Sequence, residues 1–337
     1  MMLNTPILLI TFNRPDHTRQ TLQRILEARP RDLYIFQDGA REGNANDALK
    51  CQQVRDVINE LVAEYRAKHS SSLLTLHSYF SEANLGCGAG PMTGISWFFE
   101  NVEQGIVMED DCLAHPDFFP YCEELLNRYK DTEVKFINST LYDDRWNQAF
   151  NEERLTKKDS YGFSRYMVTG AWASYREFWK GFDLDLKSFD CKAFRKIVLN
   201  ITGSWDEANW WYFKALEMQR DNSKKSYWDY QCSVHLFMQN AITIHPRVNL
   251  VSNIGFDPEG THTLGNDGRG NLPNYPIMPL VHPQSVRVDK KIDFYCFSKI
   301  GKRSIMEQWI SYVYNTMYYD KGLLHSMLLL YKRLKGK

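Results

Sequence analysis

No C-x-x-C spacing occurs in the chain, and its seven cysteines (Cys51, Cys87, Cys112, Cys122, Cys191, Cys232, Cys296) are scattered and odd in number. That argues against a disulfide framework or a structural zinc site and predicts a reducing compartment. Long apolar runs are missing as well. With no stretch of about 18 uninterrupted apolar residues, no segment is expected to span a bilayer. The chain reaches its first apolar run, "PILLITF", after five residues without a basic leader or a small-residue cleavage site. No signal peptide is therefore expected, and the sequence reads as cytoplasmic. Charge of one sign is not in excess, since 41 Lys and Arg balance 41 Asp and Glu. No nucleic-acid partner is expected on that ground. Two nucleotide signatures are also lacking. The absence of G-x-x-x-x-G-K-[ST] excludes a P-loop, and "TFNRPDH" stands where a dinucleotide fold would place G-x-G-x-x-G. Repeats and low-complexity runs do not occur.

What is present is a strand–helix alternation. At 337 residues and 43% hydrophobic content the chain can bury one large core or two modest ones. Apolar runs at 6–12, 32–39, 73–80, 105–111 and 134–140 read as strands. Helical periodicity lies between them, as in the stripe Val54, Val57, Ile58, Leu61, Val62 and Tyr65. This predicts an α/β sheet flanked by helices. "GCGAGPMTG" (86–94) reads as a glycine-rich stretch ahead of a helix, either a tight loop or a set of amides facing a phosphate. From 141 to 265 aromatics abound, most of them expected in the core. "AITIHPRVNLVSNIGF" (241–256) reads as a strand pair broken at Pro246, and "DPEGTHTLGNDGRGNLPNYP" as a long loop of the kind that closes over sites. From Lys299 onward eight Lys and Arg face two acids, with Ile305, Met306, Trp309, Tyr312, Val313 and Met317 at helix spacing. This basic amphipathic tail reads either as a helix packed on the body with solvated lysines or as an anchor on an anionic leaflet.

Three of the expected strands end in polar residues: Asn13-Arg14, Gln37-Asp38 and Glu109-Asp110-Asp111. Ligands of α/β sheets gather at the carboxyl ends of the strands, although any one such residue also serves to cap the next helix. The acid triplet needs a further explanation. Carboxylates this close repel and raise one another's pKa unless a cation sits among them. Mg²⁺ and Mn²⁺ take one or two carboxylates and complete their shell with phosphate oxygens and water. Asp229, in "YWDYQ", reads on its own as a helix-start acid meeting the helix dipole. Asp206 and Glu207, in "SWDEANWW", read as a helix start, with contact to an acceptor as the alternative, and His262 as a solvated loop histidine or part of a closing loop.

Six motifs occur in order: "PILLITFNRP", "FQDG", "NLGCGAG…WFFE", "VMEDDCLAHPDFFPY", "YWDYQ" and "NLVSNIGF…THT". Together, over about residues 5–265, they resemble bacterial nucleotide-sugar glycosyltransferases of the GT-A fold, in particular those similar to N-acetylglucosaminyltransferase I. The resemblance implies a Rossmann-like, mostly parallel sheet with an aromatic-rich acceptor half and a helical tail. It implies a nucleotide-sugar-binding half at 1–140, an acceptor and catalytic half at 141–285, and the tail at 286–337. Thr11, Asn13, Arg14 and Asp38 would hold the nucleotide, with Asp38 near the base. Glu109 and Asp110 would meet the donor sugar and nucleotide sugar, and Asp111 would bind Mn²⁺ or Mg²⁺. Asp229 falls on the catalytic base, and Thr261 and His262 on a loop that folds over the diphosphate. The "GCGAG" segment lacks the basic or His side chain that relatives often place there, so no side chain in it is assigned. The implied activity is metal-dependent, inverting transfer from a UDP-sugar to a glycan or lipid-linked glycan, in bacterial surface polysaccharide synthesis at or near the inner membrane face. A sugar-nucleotide nucleotidyltransferase and an inactive nucleotide- or glycan-binding module are the alternatives.

Overall fold

The computed structural model describes residues 2–69, 74–140, 159–187, 189–220, 227–256, 270–301, 306–307, 309–310 and 312–313. Strand β1 (Ile7–Thr11) is buried at all of its positions, as an unbroken apolar run must be when both faces of a sheet are covered. Its side chains alternate between two cores. Ile7 and Leu9 join Leu22 and Ile25 of helix α1 (Pro15–Glu27) and Val54 and Ile58 of α2 (Ala45–Lys68). Leu8 and Ile10 face the other way and join Ile95 and Phe98 of α3 (Gly86–Asn101). The period of two along one strand thus sets helices on both sides of the sheet.

Strands β2 (Asp32–Gln37) and β4 (Gln104–Glu109) pair parallel with β1 on either side, and β3 (Thr75–Phe80) pairs parallel with β2. The chain steps outward from β1 to β2 and β3, then returns to lay β4 on the free side of β1. The order therefore reverses between β1 and β4, where the following loops diverge and leave a crevice at the strands' carboxyl ends. Beyond β4 the same sheet continues through antiparallel β8 (Ala171–Tyr175) to β6 (Val134–Asn138), β9 (Ile242–Pro246) and β7 (Tyr161–Ser164). The mostly parallel α/β sheet flanked by helices that the sequence predicts is the architecture of the chain.

Helices α4 (Phe118–Tyr129) and α5 (Arg176–Trp179) pack on the sheet, and α6 (Cys191–Thr202), α7 (Trp205–Arg220), α8 (Asp229–Met238) and α9 (Lys290–Ile300) follow along the chain. As expected, most aromatics of this half are core: Phe194, Trp211 and Phe237 centre one cluster, while Trp172, Trp179 and Trp228 join the α3 side of the sheet. No helix among the described residues is long and apolar enough to cross a membrane. In the tail, Met306, Trp309, Ile310 and Val313 are exposed, whereas Tyr312 packs on Trp205 and Phe213.

Three local expectations change. The glycine-rich stretch does not precede a helix; it forms the first turns of α3. Gly94 explains one of its glycines, since a Cβ there would lie 2.7 Å from Cγ of Phe36 in β2. The 241–256 strands do not pair with each other. Strand β9 belongs to the main sheet, while β10 (Val251–Asn253) pairs antiparallel with a strand the sequence did not reveal, β5 (Cys112–Ala114). The acid triplet is consequently a strand end plus a turn, with Asp110 and Asp111 joining β4 to β5.

Candidate functional site

Arg14 occupies the N-cap position of α1, with Pro15 next in the first turn. Proline suits that place because its missing N–H would have had no partner in the helix. The Arg14 carbonyl accepts from the Thr18 amide (3.0 Å) and hydroxyl (2.9 Å), which fixes the backbone and leaves the side chain for other work. Its guanidinium reaches across the crevice to the triplet. One nitrogen donates to Oδ1 of Asp110, and Nη1 donates to Oδ2 of Asp111 at 3.1 Å. Thr21 of α1 adds a hydroxyl bond to the Asp110 carbonyl at 2.8 Å. Burial works against the charge on Arg14, but Asp110 and Asp111 outweigh it and hold the guanidinium protonated more firmly than usual.

The three acids differ in surroundings. Asp110 is buried; desolvation pushes its carboxyl up and Arg14 pulls it down, leaving it above the ordinary range. Its Oδ2 is buried with no hydrogen-bond partner among the described residues. Glu109, half-buried at the end of β4, is pushed up to about 8 by desolvation and by the charges of Asp111, Asp110 and Asp229, with Arg14 acting the other way. That Asp229 acts on Glu109 matters, because Asp229 opens α8, 120 residues further along the chain. Trp228, which precedes it, packs on Trp172 of β8, and Trp172 lies beside Val107 of β4. The sheet thus brings the aspartate of the aromatic half within electrostatic range of Glu109 in the first half.

A roof closes over Asp111. The β5–β10 ladder carries residues 253–255 to the turn, where the Ile254 amide donates to the Asp111 carbonyl at 2.9 Å and Asn253 Nδ2 to Asp111 Oδ1 at 3.4 Å. His17 Nε2 lies 3.2 Å from the Ile254 carbonyl. A Cβ on Gly255 would stand 2.2 Å from Asp111 Oδ2 and 2.9 Å from Arg14 Nη1, so only glycine permits this approach. Asn253 and Gly255 were not singled out from the sequence, although both lie in the quoted "NLVSNIGF".

Beside the triplet a cavity of about 180 Å³ opens between β1, β2 and the start of α3, lined by Thr11, Asn13, Arg14, Asp38, Glu109 and Asp110 among others. A cavity of roughly 150 Å³ admits one benzene ring, so this one suits a single ring. Not every expected residue turns its polar atoms into it. Thr11 donates its hydroxyl to the Phe36 carbonyl at 3.1 Å, and Asn13 donates to Asp47 at 2.8 Å, which also pairs with Arg41 on the rim. Asp38 accepts from the amides of Gly39, Leu85 and Gly86 at 2.8–3.0 Å and from Asn84 Nδ2 at 3.1 Å. Burial raises its pKa against the lowering effect of those amides. Asp38 thereby anchors the start of α3, and the helix's first amides point to a carboxylate of the chain itself. Arg41 and Asp47 carried no sequence signal beyond proximity to "FQDG", and Asn84, which opens the quoted "NLGCGAG", was given no role. Thr261 and His262 lie outside the described residues.

Among the described residues no group of three or more His, Cys, Asp or Glu side chains could hold a metal ion by itself. The triplet offers hard carboxylate oxygens, including the unpartnered Oδ2 of Asp110, and suits Mg²⁺ or Mn²⁺ only where phosphate oxygens complete the shell.

No protein-family model matches the sequence, and no curated protein does. Solved structures overlap with it partially. A UDP-glucose pyrophosphorylase complexed with UDP-glucose matches at 10% identity and TM-score 0.29, covering 52% of this chain and 78% of that one. HddC from Yersinia pseudotuberculosis matches at 7% identity and TM-score 0.27, over 52% and 78%. A UTP-bound UGPase from Acinetobacter baumannii matches at 8% identity and TM-score 0.35, over 72% and 85%. Overlaps this partial leave the functional reading to the chain's own residues.

Proposed function

We propose that the chain is an inverting, metal-dependent glycosyltransferase that moves a sugar from a nucleotide-diphosphate donor, a UDP-sugar by the sequence resemblance, to a hydroxyl of a glycan or lipid-linked glycan in surface polysaccharide synthesis. One observation carries the reading. At the switch-point crevice Arg14 binds two acids of the triplet, and the third, Glu109, feels the charge of Asp229, which opens a helix of the other half. A cavity for one ring lies alongside.

In this reading the ring cavity takes the nucleotide base, and the diphosphate and sugar extend over the triplet. Glu109 and Asp110 face the donor, the buried Oδ2 of Asp110 accepting from a donor hydroxyl. Asp111 would hold Mn²⁺ or Mg²⁺ together with the diphosphate, and a bound dication stabilises the charge growing on the leaving nucleotide. Asp229 takes the proton of the acceptor hydroxyl while its oxygen bonds to C1. The bond from C1 to the diphosphate oxygen breaks on the opposite face, inverting the anomeric centre. Thr261 and His262 enter by sequence position alone.

A thermal-shift screen of nucleotide sugars with and without Mn²⁺ tests this, since a ligand of the native state at 100 times its Kd adds about 2.7 kcal/mol of stability. One UDP-sugar should stabilise the chain more strongly with Mn²⁺ and be hydrolysed slowly, with hydrolysis lost in Asp111→Ala and Asp229→Ala. No stabilisation by any nucleotide sugar would overturn the proposal. Pyrophosphate release from UTP and a sugar 1-phosphate would identify a nucleotidyltransferase instead. Donor binding without turnover under any condition would identify a binding module.

A further inference from the structure

We propose that Arg14 is the resident counter-cation of the acid triplet and must give up Asp111 before a dication can bind there, so that the free chain takes Mn²⁺ weakly and a nucleotide diphosphate recruits it. The inference rests on the proposed donor site but concerns the state of that site before any donor arrives.

Four observations lead to it. The Arg14 fork is split between two carboxylates, one nitrogen on Asp110 and one on Asp111. Both Asp111 oxygens are engaged, Oδ2 by Arg14 at 3.1 Å and Oδ1 by Asn253 at 3.4 Å and the Cys112 thiol at 3.6 Å. The Gly255 backbone roofs the pair so closely that even a methyl group has no room above Oδ2. Of the four oxygens of the two aspartates, the one left over is Oδ2 of Asp110, a buried acceptor without a partner among the described residues. That oxygen and the neighbouring Glu109 carboxylate leave most of the octahedron of oxygens a dication wants to be supplied from elsewhere.

Charge favours the same conclusion. Without a cation the adjacent carboxylates repel, and Arg14 relieves that repulsion from within the chain. A diphosphate changes the balance because it offers the guanidinium a second bidentate anion. Once Arg14 turns to the phosphate oxygens, Asp111 is released, and carboxylate and phosphate oxygens together supply the ligands that neither supplies alone. Arg14 then makes metal uptake conditional on the donor.

The test is a titration of Mn²⁺ followed by the electron paramagnetic resonance signal of the free ion, with native chain, Arg14→Met and Arg14→Lys, each with and without UDP. Native chain should bind Mn²⁺ weakly alone and at least tenfold more tightly with UDP. Arg14→Met should bind Mn²⁺ alone at least tenfold more tightly than native chain, the dication replacing the lost charge, and UDP should add less. Arg14→Lys, which keeps the charge, should stay weak. Tight binding of Mn²⁺ by native chain without UDP overturns the inference, and this needs no variant to fold. Equal affinity of native chain and a folded Arg14→Met does so too. If UDP never binds while Arg14→Met gains affinity for Mn²⁺, the donor-site reading falls and the role of Arg14 in the free chain stands.

Discussion

Asp229 opens a helix, and a carboxylate in a first turn has a sufficient structural reason to be there. What separates it from an ordinary cap is its neighbour: its charge reaches Glu109 in a strand of the other half. Asp229→Asn keeps the size and loses the base. Transfer should fall about 10²–10⁴-fold, with the donor's KM little changed, and a steady-state comparison checks this. Glu207 shows what buried acids do away from such a site. It lies buried in the first turn of α7, accepts from the Tyr166 hydroxyl, and is pushed up to about 7 by desolvation. The native state therefore keeps a proton that the unfolded chain loses from the ordinary value of 4.5 upward. Between those values the native state binds more protons, so stability falls as pH rises through that window. Glu207→Gln removes the titration and keeps an acceptor for Tyr166. Urea unfolding at pH 5 and pH 8 should show the native chain losing about 1–3 kcal/mol relative to the variant. Parallel profiles would contradict it.

At the scale of elements, α3 shows how local composition misleads. The glycine-rich stretch at 86–94 reads as a tight loop or as amides facing a phosphate, because glycine lowers helix propensity. Packing decides otherwise: Asp38 binds the first amides, and the helix lies so close to β2 that Gly94 faces Phe36 without space for a Cβ. Gly94→Ala, a favourable change in an isolated helix, should therefore destabilise the chain by about 1–3 kcal/mol, seen as a lower urea midpoint with an unchanged slope. The β5–β10 ladder escaped the sequence for another reason. Strand β10 falls in a stretch read as strand, but its three-residue partner β5 carries too little alternation to register, and the pair brings Asn253 and Gly255 onto Asp111.

For the molecule as a whole, charge is uneven although the net is zero. Eight Lys and Arg against two acids lie from Lys299 onward, and the exposed Met306, Trp309, Ile310 and Val313 sit in the same region. If the acceptor is lipid-linked, as proposed, this end of the chain is the part expected to touch an anionic bilayer; a helix packed on the body with solvated lysines is the alternative that vesicle binding distinguishes. Apolar contact plus basic charge binds anionic surfaces, and each Lys or Arg near the surface adds about 1 kcal/mol. Sedimentation with phosphatidylserine-containing vesicles should carry the full chain down at low salt and release it at high salt. Vesicles of phosphatidylcholine alone should not, and equal binding to both would refute the electrostatic part.

Apart from β5 and the first turns of α3, the strands and helices of the first 140 residues were legible in the sequence because burial leaves a local mark: an unbroken apolar run along β1, a period of 3.6 along α2. The polar strand ends were legible for the same reason, each following an apolar run. Which of those ends meet was not. Arg14 finds its partners 96 and 97 residues away, and Asn253 finds Asp111 across 142. Contacts at such separations are set by strand order and by the reversal between β1 and β4, which no local pattern encodes. Residue type and spacing thus determined what chemistry the chain can offer. The tertiary structure decided which carboxylates share a cation and which are occupied holding the fold, because charge and hydrogen bonding act through space and not along the chain.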